Sequence, residues 1–275
     1  MPKKLNWISL LFFKLTQLSS HSQQRFWQFL YNQMAKRDTS GQFIFMNYGY
    51  HPAADLPPLT LHATDEPFRY FIQLYDRIVQ DVTLEGKDVV EVGCGRGGGG
   101  SFVIRYHNPQ TYTGIDLSDK AITWCRQTFP FKNAQWLTGA ADALPLNNNS
   151  TDVVLNVESS HCYPSMQKFL SEVNRILRPG GYFAFCDLRH TSAIDKLDKT
   201  LKTSGLNLIQ QQDITPQVLQ ALDRVSTARD AQINAVFPFF LRSAIRDFAA
   251  VKNTAVYNML KTKDMQYVTY LLQAE

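Results

Sequence analysis

Between residues 88 and 187 the apolar positions follow two alternating rhythms. Short continuous runs predict strands over 88–93, 111–115, 134–137, 152–157 and 182–187, while stretches with a period near 3.6 predict helices. Those helices cover 97–107, 118–128 and 165–177, with Ser118 as an N-cap for the second. Arg178-Pro179-Gly180-Gly181 stops the third, because proline and glycine do not continue a helix. The run at 152–157 is nearly all apolar, as in a strand buried on both faces. Strand and helix alternating with short connections predict a parallel sheet covered by helices on both sides. Ligands in such sheets sit at the carboxyl ends of the strands. Glu91, Asp116, Asp142 and Glu158 all fall at or just beyond those ends.

The flanks are less regular. Residues 65–82 read as a helix capped by Asp65 or Thr64, with Pro67 in its first turn. Further upstream, Ile8, Leu11, Phe12, Leu15 and Leu18 share one helical face within residues 7–18, and 25–36 forms a second helical segment. Two readings stay open for the first segment: a helix that packs on the core or caps a pocket, and an interfacial helix in peripheral contact with a membrane. It is too short to span a bilayer. Residues 43–50, F-I-F-M-N-Y-G-Y, read either as a lid over a ligand or as packing of the extension. Beyond residue 187 the pattern predicts a helix over 193–203, a strand over 207–214 and a helix over 216–228. An aromatic helical stretch over 237–251 and a last strand over 265–272 follow. Without repeats or a long linker, the expectation is a single domain over 1–275. Within it, 1–64 forms an extension or lid, 65–190 a cofactor-binding core and 191–275 the substrate side.

Composition narrows the function classes. The 275 residues are 44% apolar and 19% charged, which excludes wholesale disorder. Net charge is +4, but the basic residues are dispersed, so charge gives no case for nucleic-acid binding. Cys94, Cys125, Cys162 and Cys186 show no metal-ligand spacing, and reduced thiols suit a cytoplasmic protein.

Residues 89–100, V-V-E-V-G-C-G-R-G-G-G-G, pass from a strand through glycines into a helix. That arrangement is expected to offer free backbone N–H groups at a helix N-terminus to a small ligand. Gly93, Gly95 and Gly98 even satisfy a dinucleotide fingerprint, with Asp116 placed for a ribose. Against a dinucleotide, Glu91 precedes the glycines inside the strand, where a ligand ammonium would want a carboxylate. Asp142 lies past the third strand, within reach of a purine edge. Ammonium, ribose and purine together describe S-adenosylmethionine.

Four segments carry a resemblance. E-V-G-C-G-R-G (91–97), G-I-D-L-S (114–118), G-A-A-D-A-L-P (139–145) and I-L-R-P-G-G (176–181) resemble, in order and spacing, class I S-adenosylmethionine-dependent methyltransferases. F-M-N-Y-G-Y (45–50), D-E-P-F-R-Y (65–70) and N-V-E-S-S-H-C-Y-P (156–164) are similar to the phthiotriol/phenolphthiotriol dimycocerosates methyltransferases, which O-methylate a long-chain lipid alcohol. The resemblance implies an α/β, Rossmann-like fold whose mostly parallel sheet ends in an antiparallel strand. It implies S-adenosylmethionine as cofactor, with Glu91, Gly93 and Gly95 around its methionine, Asp116 on the ribose hydroxyls and Leu117 as a further cofactor contact. Ala141 and Asp142 would meet the adenine, and the backbone of Asn156 and Val157 would lie near the sulfonium. Arg96 either holds the methionine carboxylate or faces solvent.

Methyl transfer to an alcohol needs alignment and removal of a proton. His161 is the candidate base, since an ordinary imidazole pKa of about 6.5 leaves it mostly neutral at pH 7. Glu158 would orient it or touch the substrate, while Tyr50 and Tyr163 would shape the acceptor pocket. The expected reaction is O-methylation of a small hydrophobic alcohol, lipid or polyketide-like. N- or C-methylation of a small metabolite or quinone, and cofactor binding without transfer, are the alternatives.

Overall fold

A computed structural model describes residues 41, 43–53 and 57–275; the two helices expected over 7–18 and 25–36 lie outside these residues. Seven strands form one sheet: β1 (Asp88–Val92), β2 (Thr111–Asp116), β3 (Ala134–Thr138), β4 (Thr151–Val157), β5 (Leu177–His190), β6 (Leu206–Asp213) and β7 (Met265–Ala274). Their order is β3-β2-β1-β4-β5-β7-β6. The first five run parallel, and β7 is antiparallel to both β5 and β6.

Alternation along the central strands explains the three layers. Val89, Val153 and Leu155 pack into one apolar cluster with Phe71, Ile72, Phe102 and Val103. Val90, Val92 and Val154 point the other way, into a second cluster with Phe169, Leu170 and Val173. These come from helices α1 (Arg69–Val79), α2 (Gly98–His107) and α4 (Met166–Ile176), with α3 (Asp119–Thr128) beside β2 and β3. Burying both faces is what a nearly unbroken apolar run demands. Ser118 caps α3 by accepting from the Ala121 N–H at 3.1 Å, and Ser165 caps α4 through the Lys168 N–H at 3.2 Å.

Several boundaries differ from the pattern. The helix expected over 65–82 is a 3₁₀ turn, Glu66–Phe68, followed by α1. Asp65 does not cap it; its carboxylate instead accepts from Arg105 Nη1 and Nη2 at 2.6 and 2.9 Å and from the Tyr106 hydroxyl at 2.6 Å. Strand β5 starts at Leu177, taking in the Pro-Gly-Gly stretch, because Leu177 already pairs with Thr151. Past β5 come α5 (Thr191–Lys202), α6 (Thr215–Val236), α7 (Phe239–Phe248) and α8 (Ala255–Lys261). Helix α6 outruns the expected 216–228 by two turns, and α8, seven residues long, is too short for periodicity to reveal. No helix among the described residues is long and apolar enough to cross a membrane.

The chain runs outward from β1 to β3, then returns to the other side of β1 as β4. That reversal opens a crevice at the carboxyl ends of β1 and β4, where doubly wound sheets bind ligands. The glycine turn leaves one side of it and Glu158 the other.

Candidate active site at the β1–β4 crevice

A cavity at this crevice is lined on one side by Gly93–Arg96, Asp116, Leu117, Ala121 and Gly139–Ala141. Its other side is lined by Val157–Ser159, His161–Pro164, Phe43–Tyr48, Tyr75, Phe237 and Phe248.

The glycine turn faces the cavity but spends its donors on the protein. Gly93 and Cys94 donate to the Ile115 carbonyl at 2.7 and 3.1 Å, Gly95 to Asp116 Oδ2 at 2.9 Å and Gly97 to the Cys94 carbonyl at 3.0 Å. These four donors, all of which precede the first turn of α2, are therefore committed to the protein. Glu91, expected beside a ligand ammonium, lies one layer behind the wall, fully buried. Its Oε1 accepts from the Tyr75 hydroxyl at 2.7 Å and its Oε2 from the Tyr112 hydroxyl. Burial pushes its carboxyl up to about 7 in spite of the two tyrosines. The later glycines serve these rings. A Cβ on Gly99 would lie 1.9 Å from Tyr75 Cζ, and one on Gly100 would lie 2.4 Å from the Tyr112 hydroxyl. Tyr75, unlike Glu91, reaches the cavity.

At the end of β2, Asp116 reaches the cavity with Leu117. Its Oδ1 accepts from the Ser118 N–H at 2.8 Å, which with the Gly95 bond fixes the carboxylate at the rim. Burial raises its pKa, against the backbone donors that lower it. A carboxylate so held suits a vicinal diol, since each oxygen keeps accepting capacity. Of the third acidic segment, Gly139, Ala140 and Ala141 line the cavity, whereas Asp142 sits half-buried in a turn closed by an Ala140–Ala143 bridge. Arg96 is buried, not solvent-facing, with its guanidinium 3.9 Å from the centre of the Trp124 ring. A Cβ on Gly95 would find Met46 Cε as its near neighbour at 3.4 Å, so a side chain there would fill the cavity itself. Glycine turn, rim carboxylate and small-residue wall fit S-adenosylmethionine.

Beyond β4 the polar groups gather. Buried Asn156 places Nδ2 within 2.9 Å of the Val92 carbonyl, Ser159 Oγ and the Tyr163 hydroxyl, so it braces the wall from behind. Gly93, at φ 78°, touches this cluster; a Cβ there would lie 2.3 Å from Ser159 Oγ. Val157 and Tyr163 line the cavity. Tyr50 does not; its side chain packs in the core and its N–H donates to the Tyr70 carbonyl at 2.8 Å. Tyr48, two residues earlier, takes that place.

Glu158 occupies the left-handed region at φ 48°, a conformation that costs a non-glycine residue energy and recurs at functional sites. Its Oε2 accepts from the Tyr48 N–H at 2.8 Å and the Tyr267 hydroxyl at 2.7 Å. Burial lifts its pKa to about 8. The group hydrogen-bonded to His161 is Asp187. His161 Nδ1 lies 2.7 Å from Asp187 Oδ1, and the His161 N–H donates to Oδ2 at 2.8 Å. Ser160 Oγ donates to Oδ2 at 2.6 Å, Leu188 N to Oδ1 at 2.8 Å, and Arg189 Nη1 lies 2.9 Å from Oδ2. Burial disfavours the Asp187 charge, but Arg189 and His161 outweigh it and hold the carboxyl well below its usual range. Burial likewise opposes an imidazolium, yet Cys162 and Asp187 raise His161 well above 6.5. The assumption of an ordinary, mostly neutral histidine is therefore corrected.

Sequence pattern alone does not mark Tyr48, Tyr75 or Tyr267 as neighbours of the site. Asp187 shares with the other acids a place near the C-terminal end of a parallel strand.

This sheet order, with its crevice, is the fold of class I S-adenosylmethionine-dependent methyltransferases. Residues 90–185 match the family model described as "Methyltransferase domain". In structure, the chain is similar to geranyl diphosphate C-methyltransferase from Streptomyces coelicolor, with a TM-score of 0.65 at 15% identity over 92% of this chain and 98% of that one. In sequence it is 38% identical, over 254 residues, to the phthiotriol/phenolphthiotriol dimycocerosates methyltransferase of Mycobacterium tuberculosis, covering 92% of this chain and 93% of that one. It is also 36% identical, over 88% of its length and 87% of the relative's, to the fatty-acid O-methyltransferase of Mycolicibacterium smegmatis. The chain belongs to the family of phthiotriol/phenolphthiotriol dimycocerosates methyltransferases.

Proposed function

We propose that the enzyme methylates the hydroxyl of a long-chain hydrophobic alcohol, with His161 as the base. The observation that carries this reading is the His161–Asp187 pair opening onto a chamber walled by Phe43, Phe45, Met46, Phe237 and Phe248. Apolar walls with few polar groups are how greasy ligands are held and oriented. S-adenosylmethionine, when bound, supplies a methyl carbon activated by positive sulfur. Asp116 accepts from the ribose hydroxyls, Leu117 and Ala141 flank the adenine with Asp142 behind them, and Gly93, Gly95 and Tyr75 border the methionine. Glu91 acts through Tyr75, and Asn156 through Ser159 and Tyr163. Val157 and Tyr163 narrow the space where donor and acceptor meet. His161, with Nδ1 committed to Asp187, turns Nε2 to the acceptor and takes its proton; Glu158 holds the hydroxyl in line. In this layout residues 65–190 hold the cofactor, while residues 43–48 with Phe237 and Phe248 wall the acceptor chamber.

The fatty-acid relative favours a second reading, a carboxylic acid acceptor. A carboxylate arrives without its proton, so His161 would serve as a cationic anchor and no base would be needed. The test pairs radiolabelled S-adenosylmethionine with long-chain alcohols and fatty acids, in wild type and His161→Ala. For the alcohol, the variant is expected to lose about 10²–10⁴-fold in kcat at unchanged cofactor affinity. Wild-type-like turnover in the variant refutes the base role, and transfer to the acid alone replaces the alcohol reading.

A further inference from the structure

Residues 236–241, V-F-P-F-F-L, join α6 to α7 without one polar side chain. Phe239 is 81% exposed and Phe240 56%, and their rings meet edge to face at 6.2 Å. Exposed aromatics adjoining one another on a helix start mark a surface meant to be covered. The same run leads inward: Phe237 is buried and lines the cavity, as does Phe248 at the far end of α7. At the base of the run stands Arg242. Its Nε donates to the Phe237 carbonyl and its Nη2 to the Asn234 carbonyl, both at 2.8 Å. Both acceptors are neutral backbone carbonyls. An apolar tip above a cation matches the layering of a membrane interface, acyl chains first and phosphates one turn further out.

We infer that this tip docks on an anionic lipid bilayer and sets the acceptor chamber over the membrane. The inference rests on the lipid-acceptor reading for its purpose, since a long-chain acceptor would then pass by Phe237 into the chamber without crossing water. A second copy of this chain is the competing occupant. On a two-fold contact the apolar run would face its own copy, closing the route past Phe237 to the chamber.

Sedimentation of the full-length protein with phosphatidylglycerol or phosphatidylcholine vesicles tests this independently of any methyl transfer. Wild type is expected to bind phosphatidylglycerol vesicles more strongly than phosphatidylcholine ones. A Phe239→Ser/Phe240→Ser double variant is expected to bind about tenfold or more weakly, because two large apolar side chains no longer partition. Its melting temperature stays that of wild type, since both rings are exposed. Wild-type-like vesicle binding by the double variant overturns the inference. So does light scattering showing, without lipid, a wild-type dimer that the variant splits. Failure of the acceptor assay alone leaves the docking surface standing.

Discussion

Replacing Asp187 with Asn separates positioning from mere burial at the candidate base. The carboxylate serves two sets of donors: Ser160 Oγ, the His161 N–H and Arg189 on Oδ2, and His161 Nδ1 with the Leu188 N–H on Oδ1. An asparagine oxygen satisfies three donors only at the Oδ2 position, next to the Arg189 cation. Its NH₂ then faces His161 Nδ1 as a donor, and the neutral imidazole must carry its proton on Nε2, toward the acceptor. That tautomer cannot take a proton, so kcat for an alcohol is expected to fall about 10²–10⁴-fold, a barrier rise of about 3–5 kcal/mol. The pH dependence moves as well. His161 acts when neutral, and Asp187 raises its pKa, so wild-type rate climbs with pH above the ordinary histidine range. Without the carboxylate one of the influences that raise the imidazole pKa is gone, and the acid limb shifts to lower pH. Because Glu158 titrates at about 8 in the same cluster, the limb reports both groups together. The assay is kcat against pH with labelled donor, alongside cofactor affinity by calorimetry and the melting curve. Stability is expected to drop, since breaking a buried pair costs about 3–5 kcal/mol. Asp187→Glu keeps the charge and with it the position of the acid limb. An Asn variant with wild-type kcat and an unmoved limb would refute the mechanism.

The cofactor side yields further expectations. Asp116→Ala should weaken S-adenosylmethionine about 10–100-fold in calorimetry, the worth of one or two charge-assisted hydrogen bonds; unchanged affinity would remove the carboxylate from the ribose. Glu91 gains its proton more readily folded than unfolded, with a pKa raised from 4.5 to about 7. Its contribution to stability is therefore full below about 4.5 and declines as pH rises toward 7, by up to about 3 kcal/mol. Glu91→Gln should flatten that part of the melting-temperature profile relative to wild type, and parallel profiles would contradict the assignment. Gly99→Ala drives a methyl into the Tyr75 ring. It should destabilise by about 1–3 kcal/mol or more and loosen cofactor binding together with it; a melting point equal to wild type would show that the ring moves aside freely.

Much of this arrangement is legible in the sequence where one physical rule acts alone. Strands β1 to β5 follow from apolar runs, and Asp116 from its place at a strand end. The rule failed where packing decides. Glu91 looks like a ligand contact by position, yet two tyrosines distant in sequence claim both its oxygens. Tyr50 and Tyr48 are equivalent by composition, and only the folded chain shows that Tyr48, whose N–H donates to Glu158, lines the cavity. Histidine chemistry was read from a solution pKa, while the value in place depends on Asp187, brought near by the pairing of β4 with β5.

The fit of Gly99 against Tyr75 bears on how such chains diverge. The two positions form one heritable unit: a descendant that keeps the aromatic ring cannot exchange the glycine, and one that loses the ring is released from it. Across relatives, residue 99 should therefore vary with residue 75 and not with the identity of the methyl acceptor. Glycines tied to the donor molecule would show no such companion. Paired substitution thus offers a way to sort a glycine-rich turn into residues kept for a ligand and residues kept for a neighbour.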